Sequence, residues 1–343
     1  RGGMKYSIKK LPKSQIALEV QLPAQDLANK KSAAVAALAK DVHLEGFRPG
    51  RVPLEVAERY LEEAVVLSEA ARLAISEVYL HVVKQERLDV IGEPEVRVTK
   101  LAFGPPAGGV EFQVKIAVLP DIELADYKKI ASGAERKAVS VQEKEVEEAL
   151  DWLRKSRNAP AATNEFAKSA GNFPDLASLR VSIQEGLQRE KELQERDRLR
   201  QEIVEQIARQ SKLEVPDILM EREKHVLLSQ LKQGVGQALH MSFEEYKQKA
   251  GKTEQELLDS FSQEAEQRVR RFLVIREVAK QERINPTREE IGEAAQAILQ
   301  HYAPPAGRAG STKHALDPER LKEYTEGVLR HEKTLQFLEQ FAK

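Results

Sequence analysis

The stretch from residue 175 to residue 212 constrains the fold more than any other, because its sequence predicts one long helix. Asp175 follows Phe173 and Pro174 and is placed to cap the first turn. From Gln188 to Arg198 the sequence is QREKELQERDR, in which Leu193 is the only apolar residue. A helix without a continuous apolar stripe cannot be buried along its length on a neighbour. The sequence therefore predicts a long helix whose middle is exposed and projects from the protein.

Helical patterns also fill the rest of the C-terminal half. Predicted helices cover residues 217–239, 243–250, 254–282, 286–302 and 318–341, and proline or glycine pairs separate the later ones. Aromatic residues make up only 5% of the 343 residues, while Leu, Ala, Glu, Lys and Gln are abundant. This composition favours long helices over a compact mixed core.

Residues 4–119 show a different pattern. Alternating apolar residues on both sides of a turn at Pro12-Lys13 predict a β-hairpin, and a second strand pair is predicted around Val96 to Val98 and Val110 to Val118. Helices are predicted over residues 23–40 and 53–85. The expected fold class is α+β: an N-terminal antiparallel sheet with two helices, joined to an elongated all-α C-terminal domain with projecting helical arms.

The predicted domain organisation has four parts. Residues 1–3 are interpreted as a cloning remnant before Met4, and residues 4–119 as the N-terminal domain. Residues 120–138 lack a sustained helical or strand period, which predicts an extended linker. Residues 139–343 form the helical body and arms, beginning with a helix to Arg157 that Ser140 and Glu143 would start as a capping box.

Several classes of site are excluded or disfavoured. The chain has no cysteine, so it has no disulfide, thiolate metal site or cysteine nucleophile. The seven histidines lack metal-ligand spacing, and no cofactor or metal is expected. Gly251-Lys252-Thr253 matches the end of a phosphate-binding loop, but Tyr246 stands where the first glycine is required. We therefore predict a helix connection there, with Thr253 as the cap of the following helix.

Charge is distributed unevenly. The 54 basic and 55 acidic residues nearly cancel, but residues 4–53 hold nine basic and four acidic residues. Within this basic front lies Gly46-Phe47-Arg48-Pro49-Gly50-Arg51-Val52-Pro53, which must be a loop because two prolines and two glycines interrupt any helix. An aromatic ring beside two guanidinium groups suits a surface that binds RNA phosphate and a protein pocket. An ordinary interhelical turn with Phe47 tucked inward is the alternative.

These residues resemble the ribosome-docking signature of the bacterial trigger factor family, Gly-Phe-Arg-x-Gly-Lys/Arg-x-Pro, and meet all its fixed positions. The order of hairpin, helix, loop, helix and strand pair is also similar to that family's ribosome-binding domain, and the later helices resemble its C-terminal body and arms. The resemblance implies that Phe47, Arg48, Pro49, Gly50 and Arg51 dock on the ribosome.

The chain departs from the family's usual pattern at one place. Members usually carry a prolyl isomerase domain of the FKBP type after the helix that corresponds to residues 141–157, and a domain needs on the order of a hundred residues. Only residues 158–163 separate that helix from the next matching segment. We therefore expect the isomerase domain to be missing between residues 157 and 164, and the chain not to be an enzyme.

The function that the resemblance implies is an ATP-independent holdase chaperone at the tunnel exit. Its partners would be the ribosome, through a tunnel-exit protein and rRNA, and unfolded or nascent polypeptides, with no membrane and a possible homodimer off the ribosome. The absence of an export signal predicts a cytoplasmic location. Candidate client-binding residues are Val226, Leu227, Leu231, Leu239, Met241, Phe243, Ile298, Tyr302 and Leu316.

Two alternatives stay open at the level of sequence. Each apolar candidate could simply pack helix on helix, as most buried apolar residues do. The whole chain could also be a helical scaffold or an RNA-binding adaptor without chaperone activity. A chaperone that acts outside the cytoplasm is a third interpretation, which the lack of an export signal disfavours.

Overall fold

The computed structural model describes residues 4–44, 47–48, 52–102, 108–302 and 317–343, with only the backbone at residues 301 and 302. These residues form two compact units. The first contains the described residues up to Asp121 together with Leu213–Val269, and the second contains Ile122–Lys212 and Arg270–Lys343. Contacts thus group residues 213–269 with the N-terminal part of the chain. The sequence-derived domain boundaries stay a prediction.

The strands and helices follow in chain order. They are β1 (Lys5–Leu11), β2 (Gln15–Pro23), α1 (Ala24–Ala28), α2 (Lys31–Leu38), α3 (Leu54–Tyr60), α4 (Glu63–Gln85), β3 (Val90–Ala102) and β4 (Gly109–Val118). The remaining elements are α5 (Tyr127–Ser132), α6 (Glu143–Ser156), α7 (Asn164–Gly171), α8 (Leu176–Gln210), α9 (Asp217–Ala238), α10 (Phe243–Ala250), α11 (Glu254–Ser260), α12 (Ser262–Gln281), α13 (Arg288–Tyr302) and α14 (Pro318–Glu339). The α+β class with a helical C-terminal region is confirmed.

The four strands form one antiparallel sheet in the order β1-β2-β4-β3. The predicted hairpin is confirmed, and its turn uses left-handed backbone at Lys13 (φ 60°) and Ser14 (φ 54°), which matches the twist of the strands. Alternate residues of the two central strands, such as Leu18 opposite Val114, are buried on one face. The buried side chains of α1, α2 and α4 complete this core, so the sheet and helices form the scaffold for the intervening loop.

Both predicted N-terminal helices are wrong in one respect, because each is broken in two. Residues 23–40 form α1 and α2, and residues 53–85 form α3 and α4, with Leu61 and Glu62 extended between them. Packing explains the second break. Ala57 of α3 is buried in a small cluster with Ala39 and Val52, whereas Leu61 packs against the sheet core. The two helices bury different surfaces, so the chain changes direction between them although no proline or glycine is present.

The predicted extended linker, residues 120–138, contains the short helix α5. Asp126 caps it by accepting a hydrogen bond from the Lys129 N–H at 3.1 Å. The Tyr127 hydroxyl donates to Glu282 Oε1 at 2.6 Å; burial and then this bond raise the pKa of Tyr127 to about 12. The second contact holds α5 next to Glu282, the residue after α12. Because Glu282 is distant in sequence, a local pattern does not predict this contact.

The next predicted start is also shifted by two residues. Helix α6 is capped at Gln142, whose N–H donates to Glu145 Oε2 at 2.9 Å, and not at Ser140 with Glu143. The same Glu145 carboxylate accepts from Lys191 Nζ at 2.6 Å. Because Glu145 serves both the cap and a neighbouring helix, the register that uses it is favoured.

The long helix is confirmed as α8, with Asp175 as its cap: Asp175 Oδ1 accepts from the Ser178 N–H at 2.7 Å. Its middle is exposed as predicted, with Leu193 48% exposed, but the prediction that it projects freely is wrong. Residues 135–140 lie along it and are held by polar contacts, including Lys137 N–H to Glu195 Oε1 at 2.7 Å and Lys191 Nζ to the Ser140 carbonyl at 2.9 Å. An apolar stripe is one way to cover a helix, and backbone hydrogen bonds to charged side chains are another.

The hydrogen bond from the Lys137 N–H to Glu195 depends on pH, because its acceptor is a carboxylate. Hydrogen bonds from Arg198, and then from the Lys137 N–H, lower the pKa of Glu195 from its ordinary value of 4.5 to about 2. A lowered pKa in the folded state stabilises the protein above the ordinary pKa, and this stabilisation is lost as the pH falls toward the folded value.

We expect Glu195→Gln to lower the urea unfolding midpoint above pH 4.5, and the gap between variant and wild type to narrow as the pH falls to about 2. Urea titrations monitored by circular dichroism at several pH values measure this. A gap that is independent of pH would contradict the assignment.

The remaining helices follow the sequence closely. Helices α9, α10, α13 and α14 match their predicted ranges to within two residues, whereas residues 254–282 are divided at Phe261 into α11 and α12. Thr253 caps α11, and its Oγ1 accepts from the Glu256 N–H at 3.2 Å. The interpretation of residues 251–253 as a capped helix connection is confirmed.

Candidate functional site

The loop at residues 46–53 is anchored at both stems by a small apolar cluster. Ala39 follows α2, Val52 precedes α3 and Ala57 lies on α3; all three are buried, and Val42 and Leu44 pack against them. The Phe47 N–H donates to the Leu44 carbonyl at 3.2 Å, which tightens the chain before the tip. The two stems therefore hold the loop on the α2–α3 connection.

Phe47 and Arg48 are the described members of the predicted docking set, and both side chains are exposed. The Phe47 ring is 41% exposed and does not belong to the apolar cluster at the stems. The structure thus places Phe47 outward instead of tucked into an interhelical turn. Pro49, Gly50 and Arg51 lie outside the described residues.

Two basic residues near this loop form ion pairs, which the sequence count of charges does not show. Lys30 pairs with Glu77, and Lys31 pairs with Glu58 at 2.8 Å, which raises the pKa of Lys31 through the hydrogen bond. Arg48 forms no ion pair with a described residue. The guanidinium at the loop is therefore available for an anion, while basic residues of the neighbouring helix stabilise the fold.

Sequence reasoning missed two exposed apolar side chains next to the loop. Leu54 is 47% exposed and Tyr60 is 67% exposed, both on α3. The signal was present, because a seven-residue helix that buries Ala57 leaves its other face without a partner. With Phe47, these residues give the α2–α3 region several exposed apolar groups.

The predicted client-binding residues on α9 to α10 occupy different environments. Val226 and Leu239 are exposed, whereas Leu227 is buried. Leu231, Met241 and Phe243 are half-buried. The Phe243 ring stacks on Tyr246 with centroids 6.2 Å apart and lies 4.8 Å from Lys232 Nζ.

These environments separate the predicted client-binding residues of this region into packed and exposed ones. The half-buried Leu231 and Phe243 pack on a small core of Leu228, Leu257 and Leu258. Val226 and Leu239 remain as the exposed apolar candidates of this group.

The other predicted client-binding residues are Ile298 and Tyr302, which belong to α13, and Leu316. Ile298 is half-buried, only the backbone of Tyr302 is described, and Leu316 lies outside the described residues. Sequence reasoning missed Tyr324 and Val328 on α14, which are 65% and 48% exposed. Their spacing of four residues puts them on one helix face, and this pattern could have identified them.

The junction at residues 158–163 is a short connection between α6 and α7 with its own hydrogen bonds. Arg154 Nη1 donates to the Ala159 carbonyl at 3.0 Å, and Arg157 Nη1 donates to the Ser169 carbonyl at 2.7 Å. Leu150, Phe166 and Leu179 form a buried cluster beneath it. Both helices therefore contribute side chains to one apolar cluster with α8.

Among the described residues, no three His, Asp or Glu side chains lie close enough to hold a metal ion. None of the helices in the described ranges combines the length and apolar composition that crossing a bilayer requires.

Comparison with models of known protein families shows which family the chain belongs to. The model of a family described as "Bacterial trigger factor protein (TF)" matches residues 4–153, and that of "Bacterial trigger factor protein (TF) C-terminus" matches residues 175–340. The chain belongs to the bacterial trigger factor family. The residues between the two matches, 154–174, include the junction described above.

Two trigger factor relatives show how the chain compares with whole proteins. Trigger factor of Moorella thermoacetica is 24% identical over 384 aligned positions, covering 84% of this chain and 85% of the relative. Trigger factor of Caldicellulosiruptor bescii is 21% identical over 437 positions, covering 99% of this chain and 97% of the relative. The second alignment is at least 94 positions longer than the 343-residue chain, so the relative holds about a domain's length of additional residues.

The fold is also that of a solved trigger factor. A structure described as "Promiscuous Substrate Recognition in Folding and Assembly Activities of the Trigger Factor Chaperone" aligns with a TM-score of 0.54 and 16% identity, covering 98% of this chain and 99% of that one. The N-terminal sheet with its helices and the helical C-terminal region therefore form a trigger factor fold.

Proposed function

We propose that this trigger factor family member is an ATP-independent holdase chaperone that binds ribosomes and nascent chains in the cytoplasm. The observation that carries the proposal is the exposed Phe47 ring beside Arg48, which has no ion-pair partner among the described residues, on a loop with the family's docking signature. Family membership and the trigger factor fold support it.

Docking would use two kinds of contact. Phe47 would supply apolar area to a protein pocket at the tunnel exit, while Arg48 and Arg51 would bind rRNA phosphates or an acidic side chain. Pro49 and Gly50 would shape the turn between them. Because phosphate contacts release counterions, affinity for ribosomes would fall steeply as salt is raised.

Client binding would use exposed apolar residues of the helical arms. Val226 and Leu239 are single exposed side chains among polar ones, and such a surface binds varied apolar segments weakly and releases them without nucleotide. Met241 and Ile298, half-buried, would contribute at the edges. The chain would also form a homodimer off the ribosome.

We expect the wild-type chain to suppress aggregation of an unfolding client at stoichiometric concentration without ATP, as measured by light scattering. Val226→Asp/Leu239→Asp should raise the concentration for half-suppression at least about threefold, since each lost methylene contact removes about 0.8 kcal/mol. Val65→Asp/Leu80→Asp, which replaces exposed residues of α4 by the same change, is the matched control. Wild-type protein that leaves aggregation unchanged would instead favour a scaffold or adaptor.

We also propose that the chain has no prolyl isomerase activity of the FKBP type. The short, hydrogen-bonded junction between α6 and α7 and the shorter length than the aligned relative support this. In a protease-coupled assay on a proline tetrapeptide, we expect the peptide to isomerise in the presence of the chain no faster than without it. Uncatalysed isomerisation takes about tens to hundreds of seconds. Rates well above that background, proportional to chain concentration, would contradict it.

A further inference from the structure

A groove in the second compact unit is not used by the proposed docking loop or arms. It has a volume of about 810 Å³ and runs between the linker residues 136–139 and the middle of α8. The α8 residues that line it extend from Gln188 to Arg196, a length of about 12 Å at 1.5 Å per residue. An extended polypeptide would place about four residues along it.

One wall of the groove has unused backbone groups. Side chains of α8 hold the linker from one side: Gln188 Nε2 donates to the Val139 carbonyl at 3.3 Å, and Glu195 accepts from the Lys137 N–H. Within the described part of the chain, the N–H and carbonyl of Ala138 have no hydrogen-bond partner. A fixed segment with a free N–H and carbonyl can pair with the backbone of an extended ligand.

The carboxylates that line the groove are already engaged. Glu195 is bound by Arg198, Glu339 is bound by Arg136 and Arg200, and Glu192 accepts from Gln188 Nε2 at 2.7 Å. Glu195 and Glu339 are thus paired with arginines, whereas Glu192 keeps its negative charge because Gln188 is neutral.

Three cationic side chains of the groove have no described carboxylate within hydrogen-bond distance. Lys137 and Arg189 are exposed and form no ion pair with a described residue. Arg196 Nε is buried without a hydrogen-bond acceptor among the described groups, and its ion-pair partner, Asp197 Oδ1, is 3.7 Å away. A buried donor without an acceptor is unusual in a folded protein. Five cationic side chains and three carboxylate side chains line the groove, so its charge is positive overall.

The lining is aliphatic where it is apolar. Leu193, 48% exposed, lies in the groove with Ala138 and Val139, and none of the lining residues is aromatic. Single-stranded nucleic acid is bound by stacking on aromatic rings, so this lining fits an aliphatic side chain better than a base.

We propose that this groove binds an extended polypeptide segment in which carboxylate side chains alternate with aliphatic ones. The inference rests on the proposed chaperone function and deepens it by naming a client class. The ligand backbone pairs with Ala138, its aliphatic side chains contact Leu193, and its carboxylates are bound by Lys137, Arg189 and Arg196.

The test is fluorescence anisotropy of the full chain with two labelled hexapeptides, one alternating Glu and Leu and one alternating Lys and Leu. We expect the acidic peptide to bind at least about tenfold more tightly than the basic one, because the positive groove attracts Glu side chains and repels Lys side chains. The variant Lys137→Glu/Arg189→Glu should bind the acidic peptide at least about tenfold more weakly than the wild-type chain. Arg288→Glu/Lys322→Glu, which reverses two exposed charges of the same unit outside the groove, should not.

Equal binding of the two peptides, or an unchanged affinity in Lys137→Glu/Arg189→Glu, would overturn the groove proposal. Complete displacement of the acidic peptide by an oligouridine that binds more tightly would also overturn it in favour of nucleic acid. If these results appear while the wild-type chain still suppresses aggregation, only the groove proposal fails. If suppression itself is absent, the proposed function fails.

Discussion

The double variant Phe47→Ala/Arg48→Ala is expected to bind ribosomes at least about thirtyfold more weakly than the wild-type chain. Fully burying a phenylalanine side chain contributes about 1.5–3 kcal/mol; because Phe47 is 41% exposed before binding, its share is about 0.6–1.2 kcal/mol. A hydrogen bond to a charged group contributes about 1.5–3 kcal/mol. Since about 1.4 kcal/mol corresponds to a tenfold change in affinity, the sum of at least about 2.1 kcal/mol is about thirtyfold. Cosedimentation with purified ribosomes over a range of chain concentrations measures the loss.

The matched control is Arg320→Ala/Tyr324→Ala, which removes an exposed arginine and an exposed aromatic ring from α14. We expect it to bind ribosomes like the wild type. Raising the salt concentration should weaken wild-type binding more steeply than binding of Phe47→Ala/Arg48→Ala, because the variant retains fewer phosphate contacts. Equal loss in both double variants would show that the loop has no special role.

The second large effect is on stability. Phe112 lies on β4 in the sheet core and is 1% exposed, so Phe112→Ala should destabilise the first unit by about 3–5 kcal/mol through lost burial and the cavity left behind. Phe112→Leu, which keeps most of the volume, should cost less than about 1.5 kcal/mol. Urea unfolding monitored by circular dichroism measures both.

Phe272→Ala is the control for this series, because Phe272 is 52% exposed on α12. We expect it to change stability by about 0.5 kcal/mol or less, as surface substitutions do. If Phe112→Ala were as mild as Phe272→Ala, the sheet core could not be the scaffold that fixes the stems of the docking loop.

Elements whose signals are local were predicted from the sequence. The alternation of Ile16 to Leu22 predicted β2, and Asp175 predicted the start of α8 through its side-chain hydrogen bond to the first turn. The break at Leu61 was not predicted, because it arises where α3 and α4 bury side chains in different clusters. The break at Asn29 was not predicted either, although α1 and α2 both bury side chains in the sheet core. Helix propensity carries no information about such distant packing partners.

The middle of α8 shows a different limit of sequence reasoning. A helix surface with one apolar residue was interpreted as projecting, yet charged residues such as Lys191 and Glu195 bind the backbone of a segment about fifty residues away in the chain. Amphipathic patterns detect apolar burial only. Polar coverage by an irregular segment requires the tertiary structure.

The candidate site was likewise predicted from the sequence only in part. A surface loop followed from its glycines and prolines, but the outward position of Phe47 did not, because the sequence left an inward-facing ring open as the alternative. On α9, neighbouring residues Val226 and Leu227 have opposite environments, and the sequence alone does not say which of two adjacent apolar residues faces the core. The next residue, Leu228, packs with Leu257 and Leu258 of α11, and such partners are distant in sequence.

The central claim is that the loop carrying Phe47 docks on the ribosome. A photo-crosslinking amino acid at position 47 tests it most directly, with position 324, another exposed aromatic position, as the control. On irradiation with isolated ribosomes, we expect position 47 to crosslink to a ribosomal protein or rRNA at the tunnel exit, and position 324 to give no such product. Crosslinking from position 47 that is absent, or no stronger than from position 324, would contradict the account.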